Sequence, residues 1–117
     1  MNRTFQGTML LGILILSVPI SGWSVETGTE TAAKTYAAKC ASCHGKDGKG
    51  NLAMAKPFKV DASALDLIKD STLAKSDADL VKVTTDGKDK MPAYKGKLAD
   101  ADIAGLIAYI RTLAPKK

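Results

Sequence analysis

Apolar residues recur at helical spacing through much of the chain, and no stretch shows the alternation that is typical of a β-strand. A segment rich in Ala and Lys predicts a first helix over about residues 29–42. The longest amphipathic pattern begins near Ala99 and predicts a closing helix that ends before Pro115. Its apolar positions are Ile103, Leu106, Ile107, Ile110 and Leu113. The pattern therefore predicts an all-α protein.

Shorter elements are predicted between these two helices. Leu65 and Ile68, three positions apart, favour a short helix that starts near Asp61. Ser76 opens a capping pattern, followed by a helix of about nine residues that ends at Gly87. Residues 45–51 contain three glycines and predict a turn. The following stretch, with Met54, Pro57 and Phe58, is predicted to be irregular.

The first 24 residues have the order of a secretory signal peptide: Arg3, an apolar run over residues 9–20, and then small residues. The run is about 12 residues long, which is short of the roughly 20 that cross a bilayer as a helix. We therefore expect cleavage between residues 21 and 24 rather than a permanent anchor, although Trp23 disturbs the usual cleavage pattern. The prediction is an exported, periplasmic domain over residues 25–117, with no stable membrane insertion once the signal is removed.

Past residue 24 the chain has sixteen Lys and Arg residues against twelve Asp and Glu residues, a net charge of +4. The lysines are mixed with aspartates and do not form the clustered basic stripe of a nucleic-acid-binding protein. A domain of about 93 residues with so few aromatic side chains needs an additional source of hydrophobic core. A buried macrocycle would supply one.

The chain's only two cysteines and its only histidine fall within five positions, Cys40-Ala41-Ser42-Cys43-His44. This is the C-x-x-C-H pattern of covalent haem attachment. Two thiols at this spacing can add to the two vinyl groups of one porphyrin, and the following imidazole can bind the iron. The motif predicts one haem c, and its attachment in bacteria outside the cytoplasm agrees with export.

Other uses of these residues fit less well. A thioredoxin-like C-x-x-C needs a βαβ context, and a structural zinc site needs four ligands. Blue copper needs two histidines. A plain disulfide is possible in an oxidising compartment, but it leaves the adjacent His44 unexplained. From the residues alone these remain the alternatives to haem.

Three motifs together resemble the class I monohaem cytochromes c over about residues 29–114. They are C-x-x-C-H-G at residues 40–45, Lys-Met-Pro-Ala-Tyr at residues 90–94, and Leu-Ile-Ala-Tyr-Ile at residues 106–110. The resemblance implies the class I cytochrome c fold, with about four short helices wrapped around one covalently bound haem. It also implies that the first and last helices cross near Ala32, Tyr36 and Tyr109.

In that family the iron is bound by the motif histidine and by a methionine from a loop, which implies His44 and Met91 here. Chain length alone would allow Met54 as well, but Met91 stands before Pro92 and ahead of the last helix, as in the family. We expect Met54 to line the haem edge or to fill the core.

The chain departs from the family at two positions. Relatives often carry Ser or Thr at the position of Ala99, where it caps the last helix, so here Asp100 would cap one residue late or the cap would be lost. Relatives also tend to carry a proline at the position of Ala53, and its carbonyl accepts the histidine Nδ1 proton. The acceptor for His44 is therefore left open by the sequence.

The resemblance implies an electron-transfer protein rather than an enzyme: a soluble, monomeric one-electron carrier between periplasmic or membrane redox complexes. The alternative is an exported haem enzyme or haem-based sensor in which the methionine ligand is labile or absent. Redox partner proteins would dock at the exposed haem edge, close to the attachment cysteines and the methionine loop. The lysines expected there are Lys46, Lys49, Lys88, Lys90, Lys95 and Lys97.

Overall fold

The computed structural model describes residues 28–116, so the predicted signal peptide, residues 1–24, lies outside the described part. The described residues form six α-helices and one 3-10 helix and contain no β-strand. The helices are α1 Gly28–Lys39, α2 Ala41–His44, α3 Leu52–Phe58, the 3-10 helix Ala62–Leu65, α4 Asp70–Leu73, α5 Asp77–Asp86 and α6 Asp100–Leu113. The all-α prediction is confirmed. None of these helices has the length and apolar character needed to cross a membrane.

The centre of the fold is the packing of α1 against α6. Ala32 and Tyr36 of α1 are buried, as are the α6 side chains of Ile103, Leu106 and Ile107. A Cβ atom built on Gly105 would lie 3.9 Å from the Ala32 Cβ, so small residues let the two helices approach closely. The rings of Tyr36 and Tyr109 pack at a tilt of 57°, with their centroids 5.4 Å apart. The helix crossing implied by the resemblance is confirmed.

Arg111, near the end of α6, forms hydrogen bonds with the segment that joins α4 to α5. Its Nε donates to Asp77 Oδ1 at 2.6 Å, while its two terminal nitrogens donate to the carbonyl oxygens of Leu73 (3.1 Å) and Lys75 (2.8 Å). The planar guanidinium presents several donors in a fixed geometry, which a lysine ammonium cannot reproduce. One side chain therefore links α6 to the first residue of α5 and to the segment before it.

The expected first helix over residues 29–42 is in fact two helices. α1 ends at Lys39, and Cys40 (φ −119°, ψ −37°) precedes the separate turn α2. The expected short helix from Asp61 is likewise divided, into the 3-10 helix and α4. In both regions the helical pattern is correct, but no single helix continues through it.

Residues 52–58 were expected to be irregular, and this prediction is wrong because they form α3. The Asn51 side chain caps α3 by accepting a hydrogen bond from the Ala53 N–H at 3.1 Å. Pro57 lies in the last turn of α3, and the helix is followed by Lys59, a C-cap residue with a positive φ of 53°.

The first residue of α6 has no side-chain cap. Ala99 occupies the N-cap position, and no side chain accepts a hydrogen bond from the first turn. The missing cap costs about 1 kcal/mol. Asp100 and Asp102 lie in that turn and interact favourably with the helix dipole instead.

Candidate haem-attachment site

The three residues of the C-x-x-C-H motif are brought together where α1 passes into α2. The Cys40 N–H donates to the Tyr36 carbonyl at 2.9 Å, and the N–H groups of Cys43 and His44 both donate to the Cys40 carbonyl, at 3.2 and 2.9 Å. Both cysteines are free thiols and half-buried. Burial raises the pKa of the Cys40 thiol. Because residues three apart on a helical turn lie on one side of it, the two thiols are presented together.

His44 is oriented by a backbone carbonyl. Its Nδ1 lies 2.8 Å from the carbonyl oxygen of Leu65. A carbonyl can only accept, so Nδ1 carries the proton, and the lone pair on Nε2 is available to a metal. Burial lowers the pKa of His44, which favours the neutral imidazole, although the hydrogen bond to Leu65 opposes this shift. The acceptor that the sequence left open is therefore Leu65, and not a carbonyl near Ala53.

The glycine-rich turn brings the Leu65 carbonyl to His44. Gly48 accepts a 2.7 Å hydrogen bond from the Leu67 N–H. Both Gly48 and Gly50 have positive φ angles, 77° and 92°. A Cβ on Gly50 would lie 3.1 Å from the Leu65 Cβ, so a larger residue would push Leu65 away. The glycines thus allow the contact that fixes the imidazole.

Hydrogen bonds at both ends of the glycine-rich turn, at Gly45 and Asn51, also stabilise the motif. The buried Tyr36 hydroxyl donates to the Gly45 carbonyl at 2.7 Å. The Asn51 N–H donates to the Cys43 carbonyl at 2.9 Å, and the Asn51 side-chain amide donates to the Ser42 carbonyl at 2.9 Å. The segment that carries both cysteines and the histidine is therefore held at both ends.

Met91 lies in a loop that is pinned to the end of α5. Lys88 and Met91 exchange two backbone hydrogen bonds, at 3.1 and 2.8 Å. Beyond Met91, the N–H of Tyr94 donates to the Thr84 carbonyl at 3.1 Å. The side chain of Met91 is half-buried, as is that of Met54 on α3. The choice of Met91 as the axial ligand stays a prediction.

Leu65 and Tyr94 are among the residues of this region whose contacts the sequence did not reveal. The Tyr94 hydroxyl donates to the Lys39 carbonyl at 3.1 Å, just before Cys40. A tyrosine beside the methionine motif was visible in the sequence, but its hydroxyl partner was not. A backbone carbonyl such as that of Leu65 has no sequence signal at all.

The residues fit a covalently attached haem. Two free thiols lie on one side of a turn, and one imidazole nitrogen is committed to a carbonyl while the other is left for the iron. Apolar side chains that are half-buried, and so can offer surface to a macrocycle, are Leu65, Leu67, Ile68, Leu73, Leu80, Val81, Val83 and Leu98. In residues 28–116 no three His, Cys, Asp or Glu side chains form the kind of cluster that a zinc site would need.

Comparison with known proteins agrees with this geometry. The family model described as cytochrome c oxidase, cbb3-type, subunit III matches residues 27–110. The chain is 42% identical to cytochrome c6 of Picosynechococcus sp. over 81 residues, which cover 67% of each chain. It is 34% identical to cytochrome c6 of Nostoc sp. over 110 residues, or 94% of this chain and 92% of that one.

The comparison also reaches larger proteins. The chain is 30% identical over 101 residues to the cbb3-type cytochrome c oxidase subunit FixP of Bradyrhizobium sp.. The match covers 84% of this chain but 32% of FixP, so this chain corresponds to one part of that subunit. The family model and the cytochrome c6 relatives, taken with the C-x-x-C-H motif, show a protein that carries covalent haem c and transfers electrons rather than catalysing a reaction. The chain belongs to the class I monohaem c-type cytochromes.

Proposed function

We propose that the protein is a periplasmic one-electron carrier whose haem is attached through Cys40 and Cys43 and whose iron is bound by His44 Nε2 and the Met91 sulfur. The hydrogen bond from His44 Nδ1 to the Leu65 carbonyl carries this proposal, because it leaves one imidazole nitrogen for the iron. When bound, the haem supplies the one-electron redox couple.

Hydrogen bonds within the chain hold the two proposed ligands. The Leu65 carbonyl fixes the His44 ring and increases the electron donation of its imidazole. The backbone hydrogen bonds at Lys88, Met91 and Tyr94 hold the methionine loop. A ligand set that does not rearrange favours rapid electron transfer, and a thioether ligand stabilises the reduced state. With Met91 bound, the iron would have no open position for oxygen or peroxide chemistry.

Replacement of Met91 by Ala tests the axial ligand. We expect Met91→Ala to abolish the weak long-wavelength absorption of a methionine–iron bond in the oxidised protein. The reduction potential should fall, because the thioether that favours the reduced state is gone. Carbon monoxide should then bind the reduced variant, whereas it should not bind the reduced wild type.

The matched control is Met54→Ala, which removes the other described methionine. It should leave the absorption band in place, since Met54 belongs to α3 rather than to the loop before α6. A band that survives in Met91→Ala and disappears in Met54→Ala would reverse the assignment. A wild type that binds carbon monoxide readily would favour the enzyme or sensor instead.

As a c-type cytochrome the protein exchanges electrons with redox partner proteins, and we propose that exposed lysines around the methionine loop steer an acidic partner. Lys88, Lys90, Lys95 and Lys97 are all exposed in this loop, and Lys46 and Lys49 are exposed in the glycine-rich turn. The interaction would weaken as salt is added, because the Debye length falls from about 30 Å at 0.01 M to about 3 Å at 1 M.

The double variant Lys90→Glu, Lys95→Glu should slow bimolecular electron transfer to an acidic partner at low salt, with an unchanged haem spectrum. The double variant Lys75→Glu, Lys116→Glu makes the same change of net charge outside the two loops and should have a smaller effect. Rate constants measured across a salt series check both. Equal effects would show that only net charge matters, and a rate that does not depend on salt would contradict electrostatic steering.

A further inference from the structure

One tyrosine connects the methionine loop to the end of α1, the helix that directly precedes the haem-attachment motif. Tyr94 follows Met91 by three residues, and its hydroxyl donates to the carbonyl oxygen of Lys39 at 3.1 Å. Lys39 is the last residue of α1 and directly precedes Cys40. The Tyr94 N–H donates to the carbonyl of the buried Thr84 in α5. Tyr94 is thus bonded to α5 through its backbone and to α1 through its side chain.

We infer that Tyr94 is a positioning residue for the axial methionine: its hydroxyl clamps the Met91 loop to the end of α1 and so slows detachment of Met91 from the iron. The inference rests on the proposed function, because it takes Met91 to be the ligand. The phenol acts through the loop and has no part in electron transfer itself.

The other hydrogen bonds of the loop do not provide this connection. The Lys88 and Met91 pair closes the loop on itself, the N–H groups of Tyr94 and Lys95 donate to carbonyls of α5, and the N–H groups of Lys97 and Leu98 donate to the Tyr94 carbonyl. None of these bonds reaches α1. If the phenol released Lys39, the loop could move with α5 while the attachment motif stayed in place.

The acceptor is suited to a lasting hydrogen bond. Carbonyls in the last turn of a helix lack a partner within the helix, and Lys39 occupies that turn of α1. Tyr94 is half-buried, and burial raises the pKa of its hydroxyl, so the group remains a donor at neutral pH. Lys97 Nζ lies 6.0 Å from the centre of the Tyr94 ring, at the outer limit of a cation–π contact.

Tyr94→Phe removes the hydroxyl and keeps the ring. Imidazole can bind the iron of the oxidised holoprotein only after Met91 has dissociated from it. The rate of imidazole binding, measured by stopped flow, therefore reports on detachment of the methionine loop. Loss of one hydrogen bond corresponds to about a fivefold change in an equilibrium. We therefore expect imidazole to bind about five times faster to Tyr94→Phe, with the methionine–iron band still present before imidazole is added.

Tyr36→Phe is the matched control. It also loses a hydrogen bond from a phenol to a backbone carbonyl, that of Gly45 on the histidine side. Tyr36→Phe should lower the thermal midpoint of unfolding. The rate of imidazole binding should stay within about twofold of the wild-type rate, which is less than the change expected from loss of one hydrogen bond. A wild-type rate in Tyr94→Phe, or equal acceleration in both variants, would overturn the inference.

The result can be separated from a failure of the proposed ligand set. If Met91→Ala keeps the methionine–iron band, the ligand assignment fails, and the clamp fails with it. If Met91→Ala loses the band while Tyr94→Phe binds imidazole at the wild-type rate, the clamp alone is wrong and Tyr94 acts only through the packing of its ring.

Discussion

Replacing both Cys40 and Cys43 with Ala is expected to give a protein that does not fold cooperatively. In the part of the chain that the structure describes, few apolar side chains are buried, and most of them belong to the contact between α1 and α6. Ordering the backbone costs roughly 1 to 2 kcal/mol per residue, which so small a core cannot offset. The apolar side chains of residues 65–98 that are half-buried would need the macrocycle as their packing partner.

Circular dichroism at 222 nm during heating measures this effect on protein exported to the periplasm. Ser42→Ala is a suitable control, because it changes an exposed side chain inside the motif while keeping both thiols. It should bind haem and unfold in one cooperative transition. A cooperative transition in the haem-free double variant would contradict the expectation.

Gly87→Ala should destabilise the protein by at least about 2 kcal/mol and weaken the methionine–iron bond. Gly87 has a φ of 75° and a ψ of 169°, a backbone region that is essentially restricted to glycine and that costs another residue roughly 1 to 3 kcal/mol. A Cβ atom there would lie 2.7 Å from the Met91 carbonyl oxygen and 2.8 Å from the Ala93 nitrogen. Both are backbone atoms of the methionine loop, so the loop itself would have to shift.

Gly96 provides a control with nearly the same φ angle. Its φ is 76°, but a Cβ atom there would meet nothing within 4 Å. Gly96→Ala should therefore show only the conformational cost of a positive φ, roughly 1 to 2 kcal/mol, and keep the methionine–iron band. Urea unfolding and the oxidised spectrum of the two variants distinguish the contributions. Equal losses of stability with unchanged spectra would mean that the loop tolerates the added methyl group.

Local patterns predicted much of this fold. The apolar positions of α6 recur at helical spacing, and the Ser76 hydroxyl accepts the Asp79 N–H at the start of α5, as the capping pattern indicates. The C-x-x-C-H motif identified the cofactor because its chemistry depends on adjacent residues. Features of this kind can be read from a sequence.

Features that depend on tertiary contacts could not be predicted in this way. The Leu65 carbonyl reaches His44 because Gly48 and Gly50 allow residues 65–68 to pack against the turn, and nothing near Leu65 in the sequence announces this. The hydroxyl of Tyr94 likewise finds its acceptor on a distant helix. The prediction of an irregular stretch at α3 was wrong for a different reason. Pro57 argues against a helix in the sequence, but it lies in the last turn of a helix that Asn51 caps.

The contact between Ala32 and Gly105 has a consequence for the order of events in folding. These residues lie near opposite ends of the described chain. The long segment between them must therefore lose conformational entropy before the contact can bury any apolar surface. Until α6 has been synthesised and has docked, the face of α1 that carries Ala32 and Tyr36 lacks its main packing partner. A chain exported in an unfolded state would therefore receive its haem before the last helix docks, which agrees with the expectation that the haem-free chain does not fold.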